Sequence, residues 1–169
     1  MPWRFPALLY PTGLLAGFLL CSCSGKKEEP EWREYSNPHF SFRAPDDLGE
    51  VPVHGIDSFV GRFESPAFSI SFDWGWYSNA DFDGHLGKTG AGGFESEETV
   101  IDGLAARLGF YDDNLDPELP LVQAVFFPEV PDKEARLPGR TRLSFRVAFR
   151  DPALRETALR IVRSLRFAR

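Results

Sequence analysis

The sequence predicts an α+β domain: an antiparallel β-sheet with one packed C-terminal helix. In the stretch Arg142 to Arg150 the apolar residues Leu143, Phe145, Val147 and Phe149 alternate with Arg142, Ser144, Arg146 and Arg150. That period of two is a strand with one face in a core. Asp151-Pro152 stops it and starts a helix, in which Leu154, Ala158, Ile161, Val162 and Leu165 form one apolar stripe. Sixteen Phe and four Trp favour β structure with large buried aromatics, and fourteen Pro and fifteen Gly imply many turns. At 169 residues, 43% hydrophobic and 26% charged, the composition is that of one globular domain.

In chain order, residues 1–22 read as a signal peptide. Arg4 supplies a positive charge, and Leu8 to Leu20 is mostly apolar, too short to span a bilayer and broken by Pro11 and Gly13. Leu20-Cys21-Ser22-Cys23 resembles the lipobox of bacterial lipoproteins, with Leu three residues and a small Ser one residue before a Cys. In that family the cysteine after the cut carries the lipid, so the resemblance implies Cys23 as the lipid attachment site. Cys21 fits worse, because bulky Phe18, Leu19 and Leu20 precede it. The resemblance implies a protein of the bacterial cell envelope, held at a membrane by an N-terminal lipid. Ser24, rather than Asp, after the cysteine implies sorting to the outer membrane, facing the periplasm, in a Gram-negative cell. Residues 23–34, polar and charged with one Pro, read as a flexible tether, and residues 35–169 as a single α+β domain.

Phe40 and Phe42 share one face of a short strand ended by Pro45, and Asp46 to Gly49 turn the chain. Phe59, Gly61 and Phe63 mark the next strand. Phe68, Ile70, Phe72, Trp74 and Trp76 alternate with Ser69, Ser71, Asp73 and Gly75, a clear strand. Tyr77 to Glu98 breaks the pattern and reads as a Gly-rich loop, its part to Gly93 being the stretch that could order on a ligand. Thr99-Val100-Ile101 and Leu104 to Tyr111 flank Asp102-Gly103, a dipeptide suited to a type I′ hairpin turn. Leu121 to Phe127 is a nearly continuous apolar run, which fits a central strand.

Three of these pieces, in this order, resemble the Mog1/PsbP-like superfamily. They are Asn37-Pro38-His39-Phe40-Ser41-Phe42 with Pro45 soon after; Glu98-Thr99-Val100-Ile101-Asp102-Gly103-Leu104-Ala105-Ala106; and the closing strand, Asp151, and a helix ending Ile161-Val162-Arg163-Ser164-Leu165-Arg166-Phe167. The resemblance implies an α/β/α sandwich on an antiparallel sheet, and a non-enzymatic accessory, assembly or binding role. The chain departs from the family where a middle helix is usual and the Gly-rich loop stands.

The residues that could carry chemistry are few. Gly87-Lys88-Thr89 lacks the earlier Gly of a phosphate-binding loop, since position 82 is Phe. Asn79, Asp81 and Asp83, with Gly84, match the first half of an oxygen-ligand calcium loop, but the closing position is Gly90. Asx-rich turns that cap backbone N–H groups give the same pattern. The expectation is no cofactor and no resident metal, with these three as weak calcium candidates. His39, His54 and His85 are scattered. Only His85 beside Asp83, with Ser78 as the nearest hydroxyl, could be assembled into a hydrolase, and a G-x-S-x-G elbow is missing.

Charge is more informative. Glu28 to Asp132 holds five basic residues against twenty-two acidic, whereas Lys133 to Arg169 holds eleven against three. One reading is compensation between these halves within the fold. The other is an exposed basic surface of Arg155, Arg160, Arg163 and Arg166 for an anionic protein partner in the envelope or for lipid headgroups. A net charge of −6 argues against nucleic acid. The sequence thus points to a non-enzymatic envelope lipoprotein acting as a binding or assembly module. A calcium- or small-ligand-binding domain using loop 77–93 is the alternative, and an unrecognised hydrolase the third reading.

Overall fold

A computed structural model describes residues 30–78, 95–113, 117–131 and 141–168. The α+β prediction holds. Among the described residues ten strands form two antiparallel sheets, with one α-helix after β9. The strands are β1 (Trp32–Ser36), β2 (Phe40–Pro45), β3 (Gly49–Val51), β4 (Phe59–Glu64), β5 (Phe68–Gly75), β6 (Glu95–Ile101), β7 (Leu104–Asp112), β8 (Leu121–Phe127), β9 (Arg142–Phe149) and β10 (Arg166–Phe167). The larger sheet runs β3-β4-β5-β9-β8-β7-β6 and the smaller β1-β2-β10.

Strand β9 lies at the centre of the larger sheet because its alternation gives it one fully apolar face. Leu143, Phe145, Val147 and Phe149 are all buried. Each such side chain contributes on the order of 2 kcal/mol from area removed from water. The smaller sheet and the helix cover that face together. Phe40 meets Phe72 edge-on at 5.0 Å between ring centroids, and Phe42 meets Phe145 at 5.1 Å.

Between β9 and the helix the chain makes a 3-10 turn, Pro152–Leu154, whose N-cap is Asp151; its side chain accepts the Ala153 N–H at 2.9 Å. Helix α1 (Arg155–Arg163) follows, with Ala158, Ile161 and Val162 buried, Glu156 in its first turn, and Arg160 and Arg163 in its last. That charge order suits the helix dipole.

The helix is shorter than its apolar spacing predicts. The chain leaves it at Ser164, and Arg166 and Phe167 pair with Ser41 and Phe40 as a strand. Ser164 marks the change, its hydroxyl donating to the Ile161 carbonyl at 2.6 Å and accepting the Arg43 N–H at 2.8 Å. At the other terminus, β1 starts at Trp32, inside the stretch read as tether. Register explains this: all five residues of β1 pair with β2, Trp32 opposite Pro45.

The Asp102-Gly103 turn is as expected. Both residues have positive φ, 51° and 82°, which fits a type I′ hairpin between β6 and β7. Strand β6, however, starts at Glu95, inside the stretch to Glu98 read as loop, because pairing with β7 and not residue type defines these charged positions. Leu121–Phe127 is an inner strand between β9 and β7. Among the described residues α1 is the only α-helix, so the second helical layer of an α/β/α sandwich is not among them. Most of the loop where the family's middle helix would stand lies outside the described residues.

Candidate functional site

The arginines of the C-terminal piece lie against the acidic edge strand β6. Its alternation puts Glu95 and Glu97 on the helix face and Glu98 on the opposite one. Arg155 pairs with Glu95, and its guanidinium sits 3.8 Å from the Phe110 ring centroid. Arg163 and Arg166 approach Glu97 and Asp102, each at 3.9 Å. Arg166 also donates to the carbonyls of Leu165 and Arg163. Arg160 lies 4.0 Å over the Trp32 ring. These side chains stay about half exposed, so each pair contributes at most about 1 kcal/mol. Three of the four arginines are therefore met by carboxylates of β6 and its turn, with which a partner here would have to compete, while Arg160 faces Trp32.

On the opposite face of the sheet, Arg146 pairs with the nearly buried Asp113 at 2.7 Å beside Tyr111, Val122 and Ala124. Burial pushes the Tyr111 phenol above its ordinary range; Arg146 pulls it down and Asp113 pushes it up.

A third group of side chains collects where β5 ends. Trp74 belongs to the core, as its shared face with Phe72 predicts. His39 stacks on it at 4.7 Å and meets Phe59 edge-on at 5.2 Å. Beyond Gly75 the strand stops, so Trp76 and Tyr77 are released from the alternation. They are 42% and 70% exposed, with their rings 6.0 Å apart and 25° from parallel. Ser58 presses on Gly75, where a Cβ would come within 2.8 Å of the Ser58 side chain, which brings the β3–β4 connection to the same end. That connection carries Ile56, fully exposed, and leads into Phe59, 40% exposed.

Next to Trp76 and Tyr77 a cleft of about 580 Å³ opens on the face away from the helix, lined also by Ala105, Arg107, Phe126, Pro128 and Arg142, with Glu98 at one side. Ser78 is buried at its rim. Its hydroxyl donates to the Asp73 carbonyl at 2.8 Å, so it closes a turn and is not poised as a nucleophile. The sequence reading missed Ile56, Phe59, Arg107 and Arg142 as part of a surface; the outward parity of Arg142 in β9 was the one available signal. Cys23, Asn79, Asp81, Asp83 and His85 lie outside the described residues. Among the described residues no three His, Cys, Asp or Glu side chains group as metal ligands, and no helix is long and apolar enough to cross a membrane.

No family model matches the chain, and no curated protein matches it in sequence. Among solved structures, it is similar to cyanobacterial PsbP (CyanoP) from Synechocystis sp. PCC 6803. The two share 14% identity over 88% of this chain and 99% of that chain, with a TM-score of 0.54. At that identity the likeness concerns the fold alone: the fold of this chain is PsbP-like.

Proposed function

We propose that this protein is a non-enzymatic lipoprotein of the bacterial cell envelope, anchored through Cys23 at the outer membrane, that binds or helps assemble a protein partner. One observation carries the partner reading. The described chain enters beside Trp32, which pairs with Pro45 at one end of β2, while His39, at the other end, packs on Trp74 and Phe59. Six residues of strand separate these ends by roughly 17 Å. Ile56, Phe59, Trp76 and Tyr77 therefore lie at the end remote from the tether. Exposed aromatic and aliphatic side chains grouped at one end are the composition of a protein contact. The PsbP-like fold agrees with an accessory role by analogy.

Photo-crosslinking in the intact envelope tests this. A photoreactive residue at Ile56 or Tyr77 should give a discrete adduct, and one at Glu64, at the tether end of β4, should not. Adducts confined to the Glu64 probe would overturn the reading.

A further inference from the structure

We propose that the cleft beside Trp76 and Tyr77 is a binding site for a planar organic anion, a flat ring system bearing a carboxylate or an equivalent acidic group. The proposal goes beyond the partner reading and does not rest on it. Both use Trp76 and Tyr77, but this one turns on the cleft's interior and on Arg142, whereas the partner reading turns on the exposed tip with Ile56 and Phe59.

Size comes first. About 580 Å³ is within the range of sites that hold small organic molecules. Shape is next. Trp76 and Tyr77 are held nearly parallel and both remain exposed, which offers ring faces at one wall. Phe126, Pro128 and Ala105 supply an apolar floor. A flat ligand buries area against all of these at little conformational cost.

Charge then selects among flat ligands. Arg142 sits directly across the β5–β9 pair from Gly75, the residue before Trp76, and its side chain points to the cleft's face of the sheet. Arg146, four residues on along the same face, is paired with Asp113. Among the described residues no hydrogen bond or ion pair to the Arg142 guanidinium is seen. Of these residues the cleft has Arg142 and Arg107, the latter itself engaged within the chain, against the single carboxylate of Glu98. A guanidinium beside an apolar floor offers two parallel N–H donors to a carboxylate and discriminates against cations. The Tyr77 hydroxyl, with no hydrogen bond seen to the other described residues, is a further donor at the rim.

The test uses the full chain, 15N-labelled on its indoles, titrated with 2-naphthoate and with 2-naphthylmethanol, which keeps the ring and lacks the charge. The Trp76 indole N–H signal, assigned by its loss in Trp76→Phe, should shift saturably with naphthoate. Arg142→Gln should weaken naphthoate about tenfold and leave the neutral analogue within about twofold, the size of one lost charged contact. A far-UV spectrum and urea midpoint equal to the parent's confirm that the variant is folded. A Trp76 signal indifferent to naphthoate overturns the proposal. So does an Arg142→Gln variant that binds naphthoate as the parent does, or one that loses both probes equally.

Discussion

The Asp102 carboxylate accepts the backbone N–H of Phe167 at 2.9 Å, so the turn of the β6–β7 hairpin in one sheet holds the last strand of the other. Asp102 also carries a positive φ of 51°, which Asp and Asn tolerate better than other side chains. Asp102→Ala should lose both contributions and destabilise the protein by about 1–3 kcal/mol. Asp102→Asn keeps an acceptor oxygen and the backbone preference, and should cost less. Urea unfolding midpoints order the two variants, and equal midpoints would remove the tie.

Gly61 lies in β4 directly opposite Phe72 in β5, and a Cβ at that position would collide with the Phe72 ring. The ring cannot swing clear, because Phe40 and Phe59 pack on it at 5.0 and 5.6 Å. Gly61→Ala should therefore cost about 1–3 kcal/mol by overpacking. Adding Phe72→Leu should cost less in the Gly61→Ala background than in the parent. A strictly additive double mutant, measured by denaturant unfolding, would show that the close approach is not the cause.

The Tyr111 phenol is raised above its ordinary value of about 10, first by burial, with Arg146 opposing and Asp113 adding. Folding thus favours the protonated form. The stability this gives is present in full below pH 10 and is lost as pH rises from there through the raised value. Relative to Tyr111→Phe, which has no proton to lose, the parent should lose stability progressively above pH 10. Unfolding free energies that fall in parallel for the two proteins would contradict this.

Lipid attachment predicts a sharp difference between two neighbouring cysteines. Cys23→Ala should leave an unprocessed precursor without a labelled acyl chain, held by its uncleaved apolar segment and missing from the outer-membrane fraction. Cys21→Ala should be processed as the parent is. If both variants are processed and retained, or if Cys21 alone is required, the assignment to Cys23 fails.

What could be read before the structure was known divides along physical lines. Strands β8 and β9 and the β6–β7 hairpin were legible because their signals are local: an apolar run, a period of two, and a dipeptide with both φ values positive. Strands β1 and β3 were not. The first is mostly exposed and charged, and the second has only three residues, so neighbours rather than residues define them. Strand β10 was hidden because Leu165 and Phe167 continue the apolar spacing of the helix; pairing with β2 overrides helix propensity there. At the site, parity along β5 placed Trp74 in the core but could not place Trp76 and Tyr77, which lie beyond the strand's end at Gly75. The position of Arg142 opposite Gly75 is a matter of register between distant segments. The ion pairs of Arg155 and Arg163 with β6 needed the same knowledge.

The small sheet also sets an order of assembly. Strand β2 has β1 as an immediate neighbour in sequence, but its other edge is covered only by β10, and Ser164 reaches the Arg43 backbone across 121 residues. Closing so long a loop carries an entropic cost that the nearer β1–β2 pairing does not, so this edge is expected to seal after the other. Until Arg166 and Phe167 arrive, β2 shows open backbone groups above an incomplete core. Without Arg166 and Phe167 in place, β2 would be left with a sticky, protease-sensitive seam, so this two-residue strand guards a much longer one.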